Sequence, residues 1–364
     1  MIKSALIGYG YWGQILGRKL NDSDSFDLRI IGDLKFEKSF EQKSITYSND
    51  VHKILEDPQI AVIFIATPPH SHVALARQAL MHGKHVWLEK PGTTSVTEYN
   101  QLALVAQQNH CKLYVDFIVL FEPWLVHLKQ QMLLKSQNKG HQDKDHLEDI
   151  KVLAVRETLD RISTSKQKTQ GHVEENPLDL LYDLAIHDLS VLKFLFPQLR
   201  AEHLELKTIQ PDECFIGSTG APVQLDTLTQ SSSRYGLELN TVSNLSLEFK
   251  SLQVKIYVDR QAQVKCRYFQ IGSDHYYFLN QTQQWQHCKT EALVSVSADK
   301  QNAGEQKSTG LSLEDCGLVN KNRYLVDSLE LSLFHFNDLI HQRKAVDENM
   351  EIAQFVHQVL EKCK

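Results

Sequence analysis

Ile2-Lys3-Ser4-Ala5-Leu6-Ile7-Gly8-Tyr9-Gly10-Tyr11-Trp12-Gly13 is the stretch whose reading decides the fold. A short apolar run reads as a buried strand, and it ends in glycine. The residues from Tyr11 to about Leu20 then read as a helix. A strand, a Gly8-x-Gly10-x-x-Gly13 turn and a helix together make a dinucleotide cradle. The first glycine allows the tight turn. The second lets backbone approach a pyrophosphate at the positive end of the helix, and the third lets helix and strand pack closely. Asp33 stands 20 residues beyond Gly13, at the end of the next apolar run. An acid there accepts hydrogen bonds from the adenosine ribose and repels a 2′-phosphate, which favours NAD. Lys35, close by, keeps NADP open. Glycines alone would also suit a turn that binds nothing; the strand, the helix and the spaced acid make the pattern specific.

Working outward, residues 1–120 alternate strands and helices. Strands are expected at Asp27–Ile31, Ser44–Tyr47, Ile60–Ala66, Val86–Leu88 and Lys112–Val115, with helices at Val51–Glu56, His70–Gly83 and Thr97–Asn109. Unbroken apolar strands alternating with helices imply a parallel sheet covered on both faces. Tyr9, Tyr11 and Trp12 sit inside the glycine turn, where they cover a cofactor or pack on neighbouring loops. Thr67 and Pro68 follow a strand at the point where a nucleotide would pass. His72, at the start of the next helix, reads as support for that loop rather than as a catalyst.

His85-Val86-Trp87-Leu88-Glu89-Lys90-Pro91 ends a buried strand in an acid, a base and a proline. Charge at such a position is costly unless it serves a site. Proline bars its predecessor from the helical conformation, so Lys90 is held extended, and its bond to Pro91 is a candidate for cis. Position alone fits a surface Lys-Pro turn equally well.

Bulk composition bounds the rest. The chain has 364 residues, 42% hydrophobic and 23% charged, which suits a soluble enzyme of two domains. A net charge of −6 gives no basic surplus for nucleic acid. No apolar run is long enough for a membrane span, and the N-terminal run is no signal peptide. Six cysteines (111, 214, 266, 288, 316 and 363) lie scattered without metal-binding spacing, so reduced thiols and a cytoplasmic location are expected, with no metal.

In the second half, 136–150 is polar and reads as a loop, Val152–Glu157 as a strand, and 161–176 as a long polar connection. Leu178–Leu189 reads as a helix opened by Pro177. Asp179, Asp183 and His187 recur at four-residue intervals on one face, and Asp183 stands one turn before His187. An acid that orients an imidazole makes a general acid/base pair. A solvated helix face would show the same spacing. Short strands at Leu204–Ile209, Thr241–Phe249, Leu252–Val258 and Val264–Ile271 point to a mainly antiparallel sheet. Lys265 and Arg267 share a strand face and suit an anionic or polyhydroxyl substrate, or simply solvent. Two amphipathic helices, Tyr324–Ile340 and Met350–Lys362, close the chain.

GYGYWG at the start, Thr67-Pro68-Pro69 followed by His72, Glu89-Lys90-Pro91 and the Asp183-x-x-x-His187 helix together resemble the Gfo/Idh/MocA oxidoreductases, and VWLEKP, VDF (115–117) and YDLAIHD (182–188) are similar to members from sugar and nucleotide-sugar pathways. The resemblance implies a Rossmann domain, here 1–120, followed by an α+β domain with an open, mainly antiparallel sheet, here 121–364, whose last helices pack back on the first domain. It implies NAD or NADP in the cleft between them and hydride transfer on a sugar-like secondary alcohol or ketone. An exposed apolar sheet face in the second domain would have to be buried, so a homo-oligomer, dimer or tetramer, is expected. Carried onto this chain, it makes Lys90, His187 and Asp183 the catalytic set. The candidate cofactor set is Gly8, Gly10, Tyr11, Trp12, Gly13, Asp33, Thr67, Pro68, His72, Glu89 and Lys90. Candidate substrate contacts are Asp116, Asp188, Lys265 and Arg267. Gly92, Leu120 and Ile186 depart from the family's usual residues and leave the substrate open. The rivals are a dinucleotide-binding regulator without catalysis and a reductase of a non-sugar.

Overall fold

A computed structural model describes residues 1–35, 45–138, 151–157, 181–207, 214–216, 222–224, 242–249, 252–259, 266–271, 274–279, 284–289, 327–342 and 347–363. They fall into two compact units, one drawn from Met1–Leu125, Ser190–Pro197 and Tyr324–Glu361, the other from Val126–Leu189, Gln198–Arg323 and Lys362–Lys364.

The first unit opens with β1 (Ile2–Ile7), α1 (Tyr11–Asn21), β2 (Phe26–Gly32), β3 (Thr46–Ser48), α2 (Val51–Glu56), β4 (Val62–Ile65), α3 (Pro69–Met81), β5 (His85–Leu88), α4 (Val96–Gln108) and β6 (Leu113–Val115). The strands form one parallel sheet in the order β3-β2-β1-β4-β5-β6. This is the expected α/β arrangement. All four residues of β4 are fully buried, as a strand covered on both faces requires. Local chemistry sets the helix starts. The Asp50 carboxylate accepts the Lys53 N–H, Ser95 Oγ accepts the Thr97 N–H, and Pro69 occupies the first turn of α3. The chain passes from β1 to β2 on one side and to β4 on the other. The sheet therefore opens a crevice at the C-terminal ends of β1 and β4.

Two later helices complete this unit, α7 (Ser328–Ile340) and α8 (Glu348–Lys362). Leu329, Leu333, Phe336 and Leu339 of α7 join Phe26, Phe64, Trp87 and Tyr114 of the sheet in one buried cluster. The Phe336 ring lies 5.3 Å from that of Tyr114 and 6.1 Å from those of Phe26 and Phe64. Helix α8 buries Ile352, Phe355, Val356 and Val359 and adds polar contacts. The Asn349 side chain accepts the Val115 N–H at 2.9 Å and donates to Val115 O at 2.8 Å, standing in for a strand beside the end of β6. His357 Nε2 accepts the Thr93 N–H, Glu361 accepts the Val96 N–H, and the Tyr99 ring stacks on His357 at 4.8 Å.

The second unit contains β7 (Lys151–Glu157), β8 (Glu205–Lys207), β9 (Cys214–Ile216), β10 (Pro222–Gln224), β11 (Val242–Phe249), β12 (Leu252–Asp259), β13 (Cys266–Ile271), β14 (Asp274–Leu279) and β15 (Gln284–Lys289). Seven of these pair in the order β15-β14-β13-β7-β12-β11-β8, and β9 pairs with β10. Only the β7–β12 ladder is parallel, so the described sheet is mainly antiparallel, as expected. Strands β14 and β15 extend it beyond the segments read from sequence. Two further helices are α5 (Pro123–Asn138), most of which falls in this unit, and α6 (Ile186–Leu195), which runs across the division at Leu189 and Ser190 and is preceded by a π-helical turn, Leu181–Ala185. The structure corrects the sequence reading at two points here. Residues 136–138 end a helix rather than begin a loop, and Leu181–Ala185 form a π-helical turn rather than α-helix. Pro177, Asp179, the connection 161–176 and Lys265 lie outside the described residues, and so do residues 139–150 of the expected loop.

Candidate functional site

The glycine turn folds as its pattern requires. Gly8 adopts φ +95°, and a Cβ there would lie 2.6 Å from the Ala66 carbonyl oxygen. A Cβ at Gly13 would run into the Gly8 carbonyl. Gly10 caps α1 with no side chain, and a Cβ there would meet nothing within 4 Å. A methyl at Gly10 would therefore enter the open space above the helix N-terminus, where a pyrophosphate would sit. A cavity of about 1090 Å³ opens there, lined by Gly8, Gly10, Tyr11, Trp12, Asp33, Lys35, Thr67, Pro68, His70 and Ser71 among others. Both Asp33 oxygens accept backbone N–H groups, Oδ2 from Tyr9 at 2.7 Å and Oδ1 from Lys35 at 2.8 Å. The acid thus fixes the glycine turn to the end of β2 and keeps lone pairs on the cavity side. Volume, open cradle and spaced acid fit an extended dinucleotide.

His72 departs from the expected cofactor set. It does not line the cavity and is fully buried. Its Nδ1 lies 2.8 Å from Pro91 O and its Nε2 2.7 Å from Thr67 O, so the ring ties the loop after β4 to the loop after β5. Burial pushes its pKa down, against the pull of those carbonyls. Its support role stands; direct contact with a cofactor does not.

At the mouth of β5, the Lys90–Pro91 peptide is cis, and Glu89 Oε2 accepts the Lys90 N–H at 2.9 Å. Neither Glu89 nor Lys90 lines the cavity. The loop that follows is braced by Thr93 and Val96 on α8, and by Pro91 on His72. Asp116 is a second correction. It is 1% exposed, and its Oδ1 accepts the Ser332 hydroxyl at 2.6 Å. It belongs to the interior of the first unit and is closed to a substrate. Asp188, 3% exposed, is likewise buried.

Asp183 lies in the π-helical turn and His187 in α6, both half-buried. Hydrogen bonds in a π turn reach one residue further than in an α-helix, so the α-helical alignment expected for this pair is loosened. Arg267 lies on β13, and its backbone pairs with Arg156 of β7 and Phe278 of β14. Sequence reasoning missed Ser332, Tyr114, Asn349 and His357. For Ser332, Asn349 and His357 the signal was a polar residue on an otherwise apolar helix stripe; Tyr114 lies on β6.

Residues 2–117 match the family model described as "Oxidoreductase family, NAD-binding Rossmann fold". An uncharacterized oxidoreductase of Synechocystis is 36% identical over 90 residues, 24% of this chain and 24% of that protein. The scyllo-inositol 2-dehydrogenase (NAD(+)) of Bacillus subtilis is 29% identical over 86 residues, 24% of this chain and 25% of its own. The matched stretches span well under two thirds of these relatives. Among solved structures, the UDP-N-acetylglucosamine 3-dehydrogenase of Acidithiobacillus ferrooxidans aligns with a TM-score of 0.63 over 99% of this chain and 96% of its own, at 14% identity, which is a likeness of fold.

Proposed function

We propose that this chain, whose residues 2–117 match the NAD-binding Rossmann-fold model of the Gfo/Idh/MocA oxidoreductases, transfers a hydride between a nicotinamide cofactor and a secondary alcohol or ketone of a sugar, an inositol or a nucleotide sugar. The observation that carries the reading is a lysine fixed at the mouth of β5, two strands from the glycine cradle on β1. The names of two similar proteins, an inositol dehydrogenase and a nucleotide-sugar dehydrogenase, support the substrate class.

The bound nicotinamide supplies the hydride acceptor or donor. The chain's own residues do the rest. The glycine turn and the N-terminus of α1 would hold the pyrophosphate, and Asp33 would meet the ribose. Lys90 donates a hydrogen bond to the reacting oxygen and stabilises charge that develops there. His187 takes the hydroxyl proton as general base, or returns it when a ketone is reduced, with Asp183 orienting the imidazole.

The test is a screen of sugars, inositols and nucleotide sugars with NAD and NADP, followed by nicotinamide absorbance. On a substrate so found, Lys90→Ala and His187→Ala should each lower kcat by about 10²–10⁴-fold. Wild-type turnover in both variants would sink the mechanism, and cofactor binding with no turnover on any substrate would favour a regulator.

A further inference from the structure

The ends of β5 and β6 bring two acids together. Leu88 pairs with Val115 in the parallel ladder, and the Asp116 N–H donates to Leu88 O. Continuing that register by one residue places Glu89 beside Asp116 on strands about 4.8 Å apart, with both side chains on one face of the sheet. Below Asp116 runs a buried chain of hydroxyls. The Ser332 hydroxyl proton goes to Asp116 Oδ1, so at the 3.0 Å contact between Tyr114 and Ser332 it is the tyrosine that donates. That accounts for Oδ1. Asp116 Oδ2 is buried without a hydrogen-bond partner. A bare carboxylate oxygen in such a place is costly, and a second carboxylate next to it makes the cost larger.

We propose that Glu89 and Asp116 share one proton and act as a positioning pair for Lys90, placing one negative charge, not two, behind the lysine. Glu89 is the link: it accepts the Lys90 N–H and so holds the peptide that carries the lysine. The proposal rests on the catalytic role given to Lys90 above. The electrostatics agree with the geometry. Burial pushes Glu89 well above the usual carboxylate range, with Asp116 adding to the rise and Lys90 opposing it. Burial likewise pushes Asp116 up to about 7, against the pull of Ser332. The other titratable groups around the pair among the described residues are Tyr114, whose pKa burial and Asp116 both raise, Asp347, which acts on Tyr114 from the start of α8, and His335, whose ring lies 5.8 Å from that of Tyr114. Among the described residues, Lys90 brings the opposing positive charge to Glu89. The proton therefore belongs to the pair rather than to either acid. Its release in the neutral range puts a second negative charge beside the lysine and alters how Lys90 meets the reacting oxygen.

The test is an infrared titration of carboxyl protonation on the full chain without substrate, for wild type, Asp116→Asn, Glu89→Gln and Ser332→Ala. A protonated buried carboxyl should be present near neutral pH and vanish on alkaline titration. Its midpoint should fall in Asp116→Asn and in Glu89→Gln, because each removes the neighbouring charge. It should rise in Ser332→Ala, which removes a donor to the charged form. No protonated carboxyl at neutral pH, or a midpoint that neither Asp116→Asn nor Glu89→Gln moves, overturns the shared proton. On a turned-over substrate, kcat in the wild type should change across the same pH range and Asp116→Asn should shift that change, with the KM for cofactor moved less than twofold. An unshifted kcat profile overturns the positioning role. Absence of turnover on every substrate would count against the proposed reaction, while the infrared result would still decide whether the pair shares its proton.

Discussion

Gly10 and Gly13 stand three residues apart and differ in what they tolerate. At Gly13 a methyl has no room beside the Gly8 carbonyl, so Gly13→Ala should cost about 1–3 kcal/mol of stability, read from a denaturant midpoint. At Gly10 the backbone is ordinary (φ −68°) and a methyl touches nothing. Gly10→Ala should therefore change stability by less than about 0.5 kcal/mol. NADH titration should nevertheless show affinity falling at least tenfold, about 1.4 kcal/mol, because the methyl occupies the pyrophosphate's place. A Gly10→Ala protein that is unstable, or that binds NADH normally, contradicts this reading of the cradle. Both glycines and Asp33 were legible in the sequence because their requirement is local: a turn, a close approach, a strand end. Asp116 and His72 were legible only as polar residues in suggestive places. What fixes them inside is Ser332, more than two hundred residues away, for one, and the carbonyls of two separate loops for the other. Neither partner leaves a mark in local spacing. Gly92 is a further case. The family resemblance implies a bulkier residue there, and a Cβ would lie 2.8 Å from Val115 Cγ2 and 3.6 Å from the His357 ring. The space a side chain would fill is already occupied by β6 and α8.

Among the elements, α7 shows how far periodicity reaches. The spacing of Leu325, Leu329, Leu333, Phe336 and Ile340 predicts an inward face, and Leu325 lies outside the described residues. Leu329, Leu333 and Phe336 are buried, and Ile340 packs partly buried against the same cluster. Periodicity identified the face but not the surface it covers, because that depends on where the chain returns. Phe336 is fully buried among Phe26, Phe64 and Tyr114, so Phe336→Ala should destabilise the first unit by about 3–5 kcal/mol. A denaturant midpoint unchanged by that substitution would mean that α7 does not cover the sheet. The π-helical turn before α6 was invisible to pattern reading, since a single wide turn alters no residue type. The extra strands β14 and β15 escaped for a different reason: polar and aromatic residues mix along them without clean alternation.

For the molecule as a whole, pH sets two buried populations against each other. Asp116, Glu89 and Asp347 have folded pKa values raised by burial. Stability linked to such acids is full below their unfolded pKa of about 3.9–4.3 and is lost as pH rises through the folded value, about 7 for Asp116. His72 and His357 are buried and shifted down. Their linked stability is full above about 6.5 and is lost as pH falls towards the lower folded value. Between roughly pH 4 and 6.5 the two slopes oppose, so the melting temperature of the wild type should vary little there. Asp116→Asn removes one of the three acids and relieves part of the rise at Glu89, so it should tilt the melting-temperature profile upward with pH across that window relative to the wild type. A profile that tilts downward relative to the wild type would contradict the assignment.

The return of α7 and α8 to the first sheet has a consequence in time. Between the end of β6 at Val115 and the start of α7 at Ser328, more than two hundred residues are made. At about 5–20 residues per second, a ribosome needs roughly 10–40 s to reach them. Throughout that interval Phe26, Phe64, Trp87 and Tyr114 have been synthesised, but the helix that will bury one face of them has not. The nascent sheet thus keeps one apolar face uncovered for that interval, and slowing translation over residues 116–327 lengthens its exposure without changing a single native contact.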